Sequence, residues 1–166
     1  GRCRVGSDED RAAPRRIESF NDDLLGALQL GRTEESWIKG ANCDAVQVWM
    51  TYPAGFDGKK KTPLMHNIHG GPHAAAGDTW HFRWNTQAFA GHGYVVAAVN
   101  YHGSSGFGQK WLETSTGRYG EKELADVEAG TDWLLRQGNI DRARLASSGG
   151  SYGSSGSYGG SSASYG

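Results

Sequence analysis

Between positions 45 and 52 the apolar residues Val46, Val48 and Met50 alternate with Gln47, Trp49 and Thr51, the period-two pattern of a strand with one buried face. Residues 34–39 form a second short run across the polar break Gly40-Ala41-Asn42, and the two together predict a strand pair. The turn Pro53-Ala54-Gly55-Phe56-Asp57-Gly58 follows, and residues 63–69 resume as an apolar strand that stops at Gly70-Gly71-Pro72. Residues 80–90 read as a helix with Trp84, Ala88 and Phe89 toward the core, closed by Gly91-His92-Gly93. Tyr94-Val95-Val96-Ala97-Ala98-Val99 is apolar without a break, as expected of a strand covered on both faces. A glycine-rich loop at 103–108 leads to a short helix at 109–114. A longer helix is expected at 121–137, with Leu124, Val127, Ala129, Thr131, Leu134 and Leu135 on one broad face and Gly138 as its stop. Residues 144–147 make the next strand. Residues 16–30 carry apolar positions without a clean period, with one helical turn at 22–28.

Strands and helices that alternate over short connections predict an α/β fold built on a mostly parallel sheet with right-handed crossovers. In such sheets ligands bind beyond the C-terminal ends of the strands. Three glycine-rich segments fall there: Gly70-Gly71, the loop 103–108, and the turn Gly149-Gly150-Ser151-Tyr152-Gly153.

That last segment is a Gly-x-Ser-x-Gly pentapeptide directly after a short apolar run, the pattern of a nucleophile elbow. Small residues on either side let the backbone bend sharply and expose the serine Oγ. The pentapeptide overlaps a low-complexity tract, since every residue from 147 to 166 is Ser, Gly, Tyr or Ala. A Ser/Gly tract can produce the motif by chance, so the strand and helix order upstream is what argues for chemistry. The tract has no aliphatic face to bury, and its recurring Tyr152, Tyr158 and Tyr165 suit weak self-association.

Bulk properties narrow the classes. The 166 residues carry a net charge of -1, which gives no attraction for a polyanion, so no nucleic-acid partner is expected. Lys59-Lys60-Lys61 reads as a solvated turn between strands. Cys3 and Cys43 are too few for a disulfide framework or a zinc site and are read as reduced thiols. No run is long enough to span a bilayer, and no apolar leader precedes Arg16, so the expected setting is cytoplasmic, without membrane association. No cofactor motif occurs, and no cofactor is expected.

The ordered set Tyr52-Pro53-Ala54-Gly55-Phe56, His69-Gly70-Gly71-Pro72-His73, Gly93-Tyr94-Val95-Val96, Asn100-Tyr101-His102-Gly103-Ser104-Ser105-Gly106-Phe107-Gly108, Asp126-Val127-Glu128-Ala129-Gly130 and Arg144-Leu145-Ala146 resembles the catalytic domain of the prolyl oligopeptidase family of serine peptidases, in its acylaminoacyl-peptidase and dipeptidyl-peptidase-like branch. The resemblance covers roughly residues 15–153. It implies a partial α/β-hydrolase fold, truncated just after the nucleophile elbow. It further implies hydrolysis of short peptides or acyl-peptides, with Ser151 forming an acyl-enzyme and the backbone N–H groups of Gly71 and Tyr152 holding the oxyanion. In some relatives a tyrosine of the loop after Asn100 also donates to the oxyanion; the matching residue here is Phe107, which has no hydroxyl.

The organisation expected from these readings is a lead-in or connector at 1–40, a partial peptidase domain at 41–153, and a Ser/Gly/Tyr tail at 154–166. The activating histidine and acid follow the serine in such hydrolases, yet neither occurs after Ser151. The chain is therefore expected to be a fragment, inactive when isolated. The alternative is a non-enzymatic protein that self-associates through the tail or through an exposed sheet edge.

The remaining polar and aromatic residues have plain readings. His66, His69 and His73 could be spaced for metal, but His66 and His69 point to opposite faces of a strand and no carboxylate or cysteine joins them, so hydrogen-bonded, loop-shaping histidines are expected. Trp80, Trp84, Trp111 and Trp133 are read as core anchors. Asp126 and Glu128 are assigned to the early turns of a helix, where negative charge suits the dipole.

Overall fold

The structure is a computed structural model and describes residues 17–71 and 73–150. Five strands make one sheet: β1 (Thr33–Lys39), β2 (Ala45–Thr51), β3 (Thr62–His69), β4 (Val95–Asn100) and β5 (Ile140–Gly150), in spatial order β1-β2-β4-β3-β5. β2 is antiparallel to both β1 and β4, while β3 is parallel to β4 and to β5. Four of the five strands therefore run the same way, and only β2 is reversed. Helices α1 (Asp22–Gly26), α2 (Thr86–Gly91), α3 (Gln109–Leu112) and α4 (Glu121–Arg136) accompany the sheet. Thr33–Lys39, inside the expected connector 1–40, pair along their whole length with β2 and belong to this sheet.

β4 is its centre. All six of its residues are buried, as its unbroken apolar sequence requires of a strand covered on both faces. β2 buries Val46, Val48 and Met50 in alternation, and these pack with Leu64, Val95, Val99, Leu134 and Ile140 into one core. On α4 the fully buried positions are Glu123, Asp126, Gly130 and Leu134, spaced by three or four residues so that they form one stripe. Gly130 keeps the contact with β4 close: a Cβ there would lie 3.1 Å from Val99 Cγ2, tighter than ordinary packing.

Several expectations need correction. The helix predicted over 80–90 starts only at Thr86, because the Asn85 side chain accepts from the N–H groups of Gln87 and Ala88 and so caps the helix there. On α2 the buried residue is Ala90, while Ala88 is exposed and Phe89 is partly buried. Trp80 lies ahead of this helix and is 52% exposed, so it is no core anchor; Trp111 and Trp133 do pack against the core. Leu124, assigned to the inner face of α4, is half exposed. β5 extends through Ser147-Ser148-Gly149-Gly150, beyond the strand expected at 144–147, because these residues pair in register with His66 to His69 of β3.

Candidate active site

β3, β4 and β5 are parallel neighbours, so their C-terminal ends lie side by side. Two of the three glycine-rich segments expected there are described, and hydrogen bonds tie them together. The Tyr101 hydroxyl donates to the His69 carbonyl, and the two rings stack with centroids 4.3 Å apart. His69 Nδ1 lies 3.1 Å from the Gly70 carbonyl, which can only accept, so this nitrogen carries the proton and Nε2 accepts from Ser104 Oγ at 2.9 Å. Burial holds the His69 pKa below its ordinary value, against the opposing bond to Gly70, in keeping with a neutral ring. His73 Nδ1 donates to the Gly103 carbonyl at 3.0 Å, and the Ser105 N–H donates to Ala74 at 3.0 Å. Asn100 grips the same turn from the end of β4, accepting from the Ala76 N–H at 2.7 Å and donating to the Ala76 carbonyl at 3.0 Å.

Gly71 sits at the exposed tip of this braced turn with φ +136°, a conformation that disfavours any side chain. A Cβ there would come within 2.5 Å of the His73 nitrogen. β5 approaches from the other side, with Gly150 paired to His69. Ser151 and Tyr152, the expected nucleophile and second oxyanion donor, lie outside the described residues.

His66 points away from this edge. It is buried, its Nε2 lies 2.8 Å from Thr131 Oγ1, and Thr131 in turn donates to the Val127 carbonyl. The Thr131 hydroxyl has one proton to give, so His66 Nε2 is the donor and Nδ1 is bare; Nδ1 has no partner among the described residues. Burial lowers the His66 pKa to about 4, so the ring is neutral. His66, His69 and His73 thus have three different sets of partners: His69 and His73 brace the loop after β4, as expected of loop-shaping histidines, whereas His66 bonds to α4.

A cleft of about 540 Å³ opens between α4 and the ends of β3 and β5, bordered by Ile68, Tyr101, Tyr119, Leu124, Val127 and Leu145. Burial raises the Tyr101 pKa, and nearby Tyr119 and Glu123 raise it further, so its phenol remains a hydrogen-bond donor. Phe107 does not line this cleft; its ring meets Trp37 edge-on at 5.9 Å and Trp111 at 6.0 Å. No helix of the described residues is long and apolar enough to cross a membrane.

The sequence reading missed the role of Asp126. It lies in the second turn of α4, fully buried, where the helix dipole has little hold. Oδ1 accepts from the Ala41 N–H at 2.8 Å, while Oδ2 accepts from both the backbone N–H and Nδ1 of His102, at 2.7 and 2.6 Å. One carboxylate therefore joins the β1–β2 connection, the loop after β4 and α4. Its signal was available, since Asp126 stands at stripe spacing from Glu123, Gly130 and Leu134. Glu128 is exposed.

Comparison with known proteins agrees with this geometry. Residues 80–160 match the model of the prolyl oligopeptidase family. The chain is 35% identical over 137 residues to Dipeptidyl-peptidase 5 of Porphyromonas endodontalis, covering 82% of this chain and 20% of that protein. It belongs to the prolyl oligopeptidase family. Dipeptidyl-peptidase 5 of Schizosaccharomyces pombe is 32% identical over 142 residues, covering 82% of this chain and 21% of that relative. The chain thus spans about a fifth of the length of the curated relatives it matches. Among solved structures, dipeptidyl peptidase 4 of Porphyromonas gingivalis superposes with a TM-score of 0.68 at 26% identity, over 77% of this chain and 18% of that one. The Pyrococcus horikoshii acylaminoacyl peptidase superposes with a TM-score of 0.72 at 24% identity, over 81% and 22%. These neighbours establish the α/β-hydrolase fold.

Proposed function

We propose that this chain forms part of the catalytic domain of a serine peptidase that cleaves short peptides or acyl-peptides, with Ser151 as the nucleophile. The observation that carries the reading is the pairing of Gly150 with His69. The residue before Ser151 is thereby hydrogen-bonded beside the turn that ends in Gly71, whose glycine-only conformation leaves a main-chain N–H unobstructed by any side chain. Ser151 Oγ attacks the scissile carbonyl, and the negative charge that develops on its oxygen is met by the N–H groups of Gly71 and Tyr152. Collapse of this intermediate expels the amine and leaves the acyl-enzyme, which water then hydrolyses.

The attack needs a base to take the serine proton. Of the six histidines in the sequence, all precede Ser151, and His66, His69, His73 and His102 are engaged in hydrogen bonds within the fold. On this reading the general base and its orienting acid follow the serine, as they do in such hydrolases, and these 166 residues alone are expected not to turn over substrate. The names of the relatives, dipeptidyl-peptidase and acylaminoacyl peptidase, set the substrates to try first.

The test joins this sequence to the histidine- and acid-bearing remainder of a relative's catalytic domain and assays fluorogenic dipeptidyl and N-acyl-aminoacyl amides. The reading expects hydrolysis of one class, abolished by Ser151→Ala. A folded product that cleaves neither class, or a Ser151→Ala variant that retains the activity, overturns it.

A further inference from the structure

The cluster around His102 lies behind the proposed site, and the mechanism above does not use it. Its ring is almost completely buried, with Nδ1 2.6 Å from Asp126 Oδ2 and Nε2 3.2 Å from Asp44 Oδ2. Asp126 belongs to α4, and Asp44 to the turn between β1 and β2, where it is half exposed. A carboxylate only accepts hydrogen bonds. A neutral imidazole has one N–H to offer and would present a bare nitrogen lone pair to the second carboxylate. A ring with a proton on each nitrogen satisfies both. The remaining face is covered by Trp111, stacked with centroids 4.0 Å apart and planes 23° from parallel, an arrangement that favours a cation over an indole. Among the described residues, Asp126 from α4 and Asp44 from the β1–β2 turn are the titratable groups bonded to the ring; α3 contributes only Trp111.

We propose that His102 is a positioning residue: a doubly protonated imidazole clamped between Asp126 and Asp44 that holds the loop after β4, and through it the turn bearing Gly71, in place. The residues on either side of His102 make the contacts that matter. Tyr101 bonds the His69 carbonyl, Gly103 accepts from His73, Ser104 bonds His69, and Ser105 donates to Ala74. Every one of these reaches the 69–74 turn. With the ring neutral, the tie to Asp44 becomes a contact between a lone pair and an anion, and the loop is released from the β1–β2 turn.

The consequence for catalysis rests on the proposed function, but the clamp itself is tested without any catalysis. Nitrogen-15 NMR of the His102 ring in the labelled 166-residue chain at pH 7 is expected to show both nitrogens protonated. In Asp44→Asn, a substitution at a half-exposed residue, the ratio of doubly protonated to neutral ring should fall about tenfold, the effect of removing a neighbouring opposite charge. Amide exchange at Gly103 and Ser105, whose N–H groups donate to Trp111 and Ala74, should quicken by a similar factor, while amides in the middle of β4 keep their rates. A bare ring nitrogen in the unsubstituted folded chain overturns the proposal, and so does an Asp44→Asn chain with unchanged ring protonation and unchanged exchange. A doubly protonated ring in a protein whose Ser151 proves unreactive would refute the enzymatic reading alone.

Discussion

Acidification should destabilise this fold through one identifiable group, His66. Its ring is buried against α4, and burial lowers its pKa from 6.5 to about 4. Below pH 6.5 the unfolded chain takes up a proton at this position that the folded chain refuses, so stability rises with pH across this window. The contribution is fully present above pH 6.5, declines as the pH falls to about 4, and levels off below that. The gap between 6.5 and about 4, at about 1.4 kcal/mol per pH unit, corresponds to about 3 kcal/mol in full, and most of this is lost by pH 4.5. Other groups titrate over the same range, so the comparison must be with His66→Gln, whose amide can still donate to Thr131 but cannot ionise. Urea unfolding followed by tryptophan fluorescence at pH 7.5 and 4.5 would be run on both chains. The native chain should lose roughly 2–3 kcal/mol more than the variant between the two conditions. Equal losses in the two chains would refute the assignment of a buried neutral histidine at this site.

Two glycines offer sharper steric tests. In Gly40→Ala the new Cβ would lie 2.3 Å from Asp126 Oδ1 and 2.4 Å from Val46 Cγ2; three hydrogen bonds hold that carboxylate, so a destabilisation of roughly 1–3 kcal/mol is expected in urea unfolding, and an unchanged midpoint would contradict the Asp126 geometry. In Gly71→Ala the methyl group meets the His73 nitrogen and forces the turn to move. In this sequence joined to the histidine- and acid-bearing remainder of a relative's catalytic domain, acylation of Ser151 should slow by roughly 10²–10³, the typical effect of losing one oxyanion donor, and stability should fall by roughly 1–3 kcal/mol because the positive φ and the backbone contact strain any side chain there; an unaltered rate would remove Gly71 from the site.

The strands were legible wherever burial and periodicity agree. β2 shows it in the alternation of Val46, Val48 and Met50, and β4 in its unbroken apolar run. The expectation failed where neighbours override local preference. Ser147 to Gly150 have no strand-forming composition, and they are extended because β3 offers a paired edge. Residues 80–85 contain enough aromatics to suggest a helix, but the Asn85 side chain stops one from starting earlier. The inner face of α4 was misjudged at Leu124 because its buried stripe consists of Glu123, Asp126, Gly130 and Leu134, in which apolarity is not the common property. Two of those four are there to satisfy or to make room: Asp126 for the N–H groups of Ala41 and His102, Gly130 for Val99. Of the proposed site, the motifs pointed to the Gly71 turn and to the loop after Asn100. How the two are bound together could not be read from spacing, since His69, His73 and Ser104 find their partners only once β3 and β4 lie side by side.

The most direct test of the account is to ask whether Ser151 is the residue that acylates. Fluorophosphonate treatment followed by intact mass and peptide mapping would be applied to this chain alone and to the same sequence joined to the histidine- and acid-bearing remainder of a relative's catalytic domain, with circular dichroism to confirm folding. The account predicts no label on the isolated chain and a single label on Ser151 of the completed protein, absent in Ser151→Ala. A folded, completed protein that stays unlabelled, or that carries its label on another residue, would contradict it.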